Sequence, residues 1–256
     1  MNVIYLALPF IVFLIFFLPV AGMKRWLVPL AAFFNLTALY FFAIPVIEIG
    51  ASPFISVFFV QIIAASFAVR AVLGWGKKYF AALFGALIAI AAAGVFAREF
   101  ANIMKLTSGF FSPPEEALGV FVPALTSKSF STGHLFAAAA MIASAGAVIY
   151  VAVSVSSRCR EKMLKSKETA FPDIWKSGIA AGKEIIPGMI NSIILIFTAI
   201  VLPFLTASYI ASMPLIVILN SEIFVLAVSC GLISIVSFML AAPVTTYFCC
   251  LFYGKR

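Results

Sequence analysis

The stretch that decides the fold is His134–Ser156, HLFAAAAMIASAGAVIYVAVSVS. It runs uncharged for more than the roughly 20 residues that a membrane-crossing helix needs. It is followed at once by Ser157-Arg158-Cys159-Arg160-Glu161-Lys162. An apolar run stopped by a basic cluster is how a membrane helix meets a membrane boundary. Five similar segments lie outward from it: Val3–Gly22, Leu27–Ile47, Phe54–Gly74, Tyr79–Ala97 and Pro187–Tyr209. Ile210–Tyr253 is also apolar but is interrupted by Asn220-Ser221-Glu222. Over all 256 residues, 64% are hydrophobic and 10% charged, with a mean hydropathy of +1.19. A soluble domain is nearer 45–50% apolar and about 25% charged. The composition excludes a soluble globular domain, a disordered tail and a coiled coil. It specifies an all-α, polytopic transmembrane helix bundle.

Basic residues set the expected orientation, because they collect in cytoplasmic loops. Lys24 and Arg25 follow the first span, and Arg70, Lys77 and Lys78 close the third. Arg158, Arg160, Lys162, Lys165, Lys167, Lys176 and Lys183 follow the fifth, and Lys255 and Arg256 end the chain. Placing these inside leaves only Arg98, Lys105 and Lys128 outside. That needs an outside N-terminus, a cytoplasmic C-terminus and about seven spans, the last over 223–253. Ile210–Glu222 is then an outer loop or a short re-entrant piece, with an eighth span as the alternative. The first segment lacks a basic n-region and is read as a retained helix, not a signal peptide. Trp26, Trp75 and Trp175 all fall beside expected inner boundaries, as belt residues do.

Two loops remain. The outer one, 98–133, contains Ser112-Pro113-Pro114-Glu115-Glu116, a helix-start pattern. The basic cytoplasmic one, 157–186, begins with charged, helix-forming residues. Phe171-Pro172-Asp173 then reads as a cap, with Asp173 the candidate N-cap of a helix leading into the sixth span.

Neither loop carries a phosphate loop, a nucleophile elbow, a zinc-protease motif or paired carboxylates. Four cysteines lack metal-ligand spacing, and a single histidine, His134, cannot build a multi-histidine site. The reading is therefore not an enzyme, with no metal or cofactor. Cys249 and Cys250 suit packing more than acylation. The net charge of +8 fits inward-facing loops and not nucleic acid.

Chemistry must then rest on intramembrane polar residues. On a helix, Glu184, Gly188, Asn191 and Ser192 share one face, which should point at other helices and not at lipid. It is either a polar path for a proton, ion or substrate, or an interfacial glutamate beside an asparagine that ties two helices. Glu222 is either a partly desolvated carboxylate at membrane depth or lies next to an N-cap formed by Asn220 or Ser221. Cys230, Ser234, Ser237 and Ala241 make a small polar stripe in the last helix, for packing or for lining. Pro243 should kink that helix. Tyr150, Ser154 and Ser157 extend a polar line along the fifth span. Arg70 can snorkel to the interface.

These segments resemble the YibE/F-like family of bacterial membrane proteins. The likeness rests on Gly146-Ala147-Val148-Ile149-Tyr150-Val151-Ala152-Val153-Ser154, Lys176-Ser177-Gly178, Gly182-Lys183-Glu184-Ile185-Ile186 and Met189-Ile190-Asn191-Ser192. It continues through Leu202-Pro203, Asn220-Ser221-Glu222 and Ala242-Pro243-Val244-Thr245. Three positions depart from the family pattern. Tyr150 stands where the family has an aspartate, Lys183-Glu184 replaces an Arg-Asp pair, and Asn191-Ser192 replaces Asn-Thr. The arrangement is also loosely similar to the helical part of SecD/SecF-type exporters, a likeness that says little about substrate. The resemblance implies a permease-like component of the bacterial cytoplasmic membrane, coupled to a proton or ion. Its polar path would use Glu184, Asn191 and Glu222, with Ser192, Ser154 and Ser234 in support. Longer members resemble an anchor and an extracytoplasmic domain joined to this block. That implies a longer YibE/F-like partner, or else a homo-oligomer. The alternative is a non-transporting scaffold subunit, which the loss of the carboxylate at Tyr150 favours.

Overall fold

The computed structural model describes residues 34–35, 37–104, 132–165 and 171–253. The expected span Val3–Gly22, most of Leu27–Ile47, and the 105–131 part of the outer loop lie outside the described residues. Among the described residues all regular structure is helical. A π-helical turn, Leu39–Ala43, leads into α1, Ile44–Glu48. The wide turn comes just before Pro45, whose ring would otherwise press on the preceding turn. There follow α2, Pro53–Leu73; α3, Lys77–Ile103; α4, Thr132–Lys165; α5, Phe171–Ile210; α6, Leu215–Leu219; and α7, Glu222–Tyr253. Five of these are long and apolar enough to cross a membrane: α2, α3, α4, α5 and α7. They match the five later spans expected from the sequence.

Local signals account for the helix ends. Pro53 opens α2 after an extended Ser52, and Gly74 ends it at φ 66. The five helices alternate in direction. Ser156 Oγ donates to the Lys78 carbonyl at 2.7 Å, and Cys250 Sγ donates to the Phe171 carbonyl at 3.7 Å, at one end. Ser52 Oγ lies 3.3 Å from His134 Nδ1 at the other. The basic residues of the α2–α3 and α4–α5 junctions therefore gather at a common end, called the basic end below.

α4 is the most enclosed helix and α5 the least. Phe136, Met141, Val148, Val151 and Val155 of α4 are fully buried. The last four pack in a core shared with the alanine-rich face of α3, Ala81, Ala82, Ala86 and Ala89, and Phe136 packs in a second cluster with Ala97 and Ala101. Small residues let membrane helices approach closely, and dispersion then replaces the missing hydrophobic drive. The tightest crossing is α3 with α7. A Cβ on Gly85 would overlap Thr245, and Ser237 Oγ donates to the Ala89 carbonyl at 2.6 Å.

The basic segment 157–186 is largely helical, in keeping with its helix-forming start and the helix signal at Phe171-Pro172-Asp173; its two helices are continuous with the spans, α4 running unbroken to Lys165 and α5 from Phe171 through Pro187. At 1.5 Å per residue α5 is about 60 Å long, twice the roughly 30 Å hydrocarbon layer. Asp173 sits in its first turn and is not its N-cap. Pro243 lies inside α7. Between α5 and α7 stand a tight turn, with Ser212 at φ 54, and the single-turn α6, far too short for another crossing.

Candidate functional site

α5 carries polar residues at Glu184, Asn191 and Ser192, and its packing decides where they face. Gly178 and Gly182 lie on the opposite side, buried against α7. A Cβ on Gly182 would come within 2.7 Å of the Ala242 methyl, so the helices meet almost backbone to backbone there. Locking that side inward turns Glu184, Gly188, Asn191 and Ser192 outward, and all four are exposed. The sequence expectation was that this stripe would face other helices. Among the described residues, no helix of the same chain covers it.

The outward residues have few partners. Arg158 Nη2 donates to Glu184 Oε2 at 2.9 Å, linking α4 to α5. Arg158 also approaches Glu161 at 3.9 Å, and Lys165 Nζ donates to Glu161 at 2.7 Å. These charges line an open cleft of about 350 Å³ at the basic end, with Lys162 and Ser177. Ser192 Oγ donates back to the Gly188 carbonyl at 3.0 Å. The Asn191 carboxamide has no hydrogen-bond partner among the described residues, although it can donate two bonds and accept two.

The neighbouring surface of α4 continues the same character. Ala143, Gly146, Tyr150 and Ser157 are exposed and Ser154 is half-buried, a stripe at helical spacing. Cys159 Sγ reaches the Ile174 carbonyl at 3.9 Å, and Arg158 reaches Glu184. That antiparallel register sets Asn191 level with Gly146 and Tyr150 to within about one or two helical turns. The patch differs in kind from the other outer faces. α2 exposes Ile55, Phe59, Ile63 and Phe67; α3 exposes Phe80, Phe84 and Ile88; α7 exposes Leu232, Val236 and Met239. Between Ile142 and Leu164, α4 exposes only one large apolar side chain, Tyr150 at 53%. α5 exposes none between Phe171 and Ile194. On the half of the bundle nearer the basic end, this face is small and polar where its neighbours are aromatic and aliphatic.

The profile of the YibE/F-like protein family matches residues 8–255, nearly the whole chain. The chain belongs to the YibE/F-like family. No curated protein and no solved structure matches it. In this YibE/F-like protein Tyr150, Lys183-Glu184 and Asn191-Ser192 all lie on or beside the small, polar face.

The remaining candidates lie elsewhere. Ser234 is fully buried and donates to the Cys230 carbonyl at 2.7 Å, inside its own helix. Glu222 heads α7 at the end opposite Glu184, and its side chain lies outside the described residues. Ser221 acts as the cap before it. Its Oγ accepts from the Phe224 N–H at 3.4 Å and donates to the Ile218 carbonyl at 2.7 Å. The structure thus brings Ser154, Glu184, Asn191 and Ser192 to one face and leaves Ser234 and Glu222 apart from it.

All four cysteines are free and buried. Cys159, Cys249 and Cys250 belong to one packed core at the basic end, as space-filling thiols do. The Arg70 guanidinium lies 4.6 Å from the centre of the Trp75 ring. One polar residue escaped the sequence reading. Gln61 is completely buried in α2, with Nε2 3.5 Å from Asn35 Oδ1 and Oε1 unpartnered among the described residues. Its signal was a single amide in an otherwise apolar run.

Proposed function

We propose that this YibE/F-like protein is a permease-like component of the bacterial cytoplasmic membrane, coupling transport or export to a proton or ion. Its polar path is the face formed by Glu184, Asn191, Ser192 and Ser154, and its basic end is cytoplasmic. The observation that carries this reading is the contrast between that face and the aromatic and aliphatic surface around it. A hydrocarbon-facing surface has no use for an unpartnered carboxamide, whose transfer from water to an apolar medium costs several kcal/mol. The same surface serves a path well: Asn191 and the hydroxyls offer donors and acceptors, and Glu184 with Arg158 offers an exchangeable charge pair at the entrance. A longer YibE/F-like protein with an extracytoplasmic domain is the partner this reading expects.

The test is proton and ion flux in proteoliposomes made with the full-length chain, alone and with such a partner. Wild type should carry flux that Glu184→Gln and Asn191→Leu abolish while the protein stays folded. Absence of flux in every preparation, or flux indifferent to both substitutions, would overturn it. A second reading, a non-transporting scaffold subunit, is favoured by Tyr150. A phenol cannot take the place of a carboxylate in holding a cation or a labile proton near neutral pH.

A further inference from the structure

At the basic end, α3, α4 and α7 converge on positive charge that the chain does not balance. Ser156 Oγ donates to the Lys78 carbonyl at 2.7 Å, which fixes the start of α3 beside α4. Arg160 stands one turn beyond Ser156 on the same face of α4, and its charge bears on Lys78. It also bears on Tyr253, at the end of α7. Neither Lys78 nor Arg160 forms an ion pair among the described residues; Glu161 and Glu184 are taken up by Arg158 and Lys165. The rest of the chain does not make good the deficit. Residues 1–33 contain no acidic side chain and bring Lys24 and Arg25. Glu115 and Glu116 fall between the far ends of α3 and α4. At the basic end Glu168 comes with Lys167, and Tyr253 is followed by Lys255 and Arg256, so neither stretch adds net negative charge. The anion that complements Lys78 and Arg160 comes from another molecule.

The surface that leads away from these cations is aromatic. Phe84 of α3 is exposed, and its ring lies 5.6 Å from Phe248 and 6.5 Å from Phe252 of α7. Phe252 precedes Tyr253, and Phe84 stands about 9 Å along α3 from Lys78, so the seam runs up to the charged site. We propose that the site holds an anionic phospholipid, with its phosphate between Lys78 and Arg160 and its acyl chains along the Phe84–Phe248–Phe252 seam. The chemistry of the two cations suits a phosphate: the Arg160 guanidinium offers a planar fork of donors and the Lys78 ammonium a point charge. A free phosphate would satisfy the cations and leave the seam unused. A zwitterionic lipid would use the seam and bring no net charge. A lipid of net negative charge meets both demands, and basic groups between membrane helices at a leaflet surface select such lipids. A further apolar segment of the chain against the seam would still leave the two cations without an anion. The site uses none of the residues of the small, polar face.

Native mass spectrometry of the full-length chain tests this, with the detergent-solubilised protein titrated with long-chain phosphatidylglycerol or phosphatidylcholine. Wild type should hold one phosphatidylglycerol roughly twentyfold more tightly than phosphatidylcholine, at roughly fivefold for each of two cations. Lys78→Gln and Arg160→Gln should each lose roughly fivefold, and the double variant should hold phosphatidylglycerol no more tightly than phosphatidylcholine. Arg160→Lys should keep most of the affinity. Lys176→Gln, which removes an exposed cation of α5 at the same end, should change it less than about twofold. The melting temperature of each variant reports folding, and the Arg160 substitutions carry the test alone if Lys78→Gln unfolds. Equal binding of the two lipids by wild type would overturn the proposal. So would an equal loss in Lys176→Gln, or full affinity in folded Arg160→Gln. Displacement of bound phosphatidylglycerol by millimolar inorganic phosphate would assign the cations to a free anion and overturn the lipid.

Discussion

Alanine at Gly85 and alanine at Gly188 should have opposite effects on stability. Both glycines lie within long helices, and both gain about 1 kcal/mol of helix propensity on substitution. At Gly85 the new methyl would stand 2.8 Å from Thr245 Cα. Carbon atoms prefer about 3.5–4.0 Å, and Thr245 Cα is backbone, so no rotamer change relieves the contact. α3 and α7 must separate by roughly 1 Å, at an overpacking cost of about 1–3 kcal/mol. The separation also strains the bond from Ser237 to the Ala89 carbonyl, one turn along, whose net worth is about 0.5–1.5 kcal/mol. After the propensity gain, a net loss of about 1–3 kcal/mol remains, which lowers Tm by about 2–4 °C per kcal/mol. At Gly188 nothing opposes the gain within the monomer. The four buried free cysteines supply the assay, since a fluorogenic maleimide labels them only as the detergent-solubilised protein unfolds. Gly85→Ala should melt several degrees below wild type and Gly188→Ala at or above it. A Gly85→Ala protein as stable as wild type, or a Gly188→Ala protein destabilised as a monomer, would refute the packing described here.

Other perturbations test separate parts of the account. Ser221→Ala removes the cap of α7 and should cost about 1 kcal/mol, seen as faster amide exchange in the first turn of that helix. A double-mutant cycle on Arg158 and Glu184 should give a coupling of about 0–1 kcal/mol in solubilised monomer, because both side chains are half or more exposed. A coupling above 2 kcal/mol would mean that something shields the pair. Asn191→Leu should leave monomer stability unchanged while it removes flux. A melting temperature several degrees lower would make Asn191 a structural tie instead.

Much of the fold was legible because membrane crossing is a local demand. Twenty apolar residues need no knowledge of their neighbours, and α2, α3, α4, α5 and α7 were each visible as such runs. The break at Asn220-Ser221 was legible for the same reason, as a hydroxyl that caps a helix is a short-range device. The length of α5 was not. The helical grouping from Glu184 to Ser192 already crosses Pro187, but that the turns from Phe171 join the same helix without a break is seen only in the fold. Periodicity grouped Glu184, Gly188, Asn191 and Ser192 correctly but could not say which way the group faces. That depends on which side of α5 meets α7, a contact between residues such as Gly182 and Ala242. The pairing of Ser237 with Ala89 was hidden for the same reason.

The central claim is that the α4–α5 face lines a polar path and does not face lipid. Water accessibility tests it most directly. A thiol reacts with a charged, membrane-impermeant thiosulfonate only where water lets it ionise. In intact membranes, Asn191→Cys should label at a rate approaching that of Ser157→Cys, while Leu202→Cys, exposed farther along α5, stays unlabelled. An Asn191→Cys protein as inert as Leu202→Cys would contradict the claim.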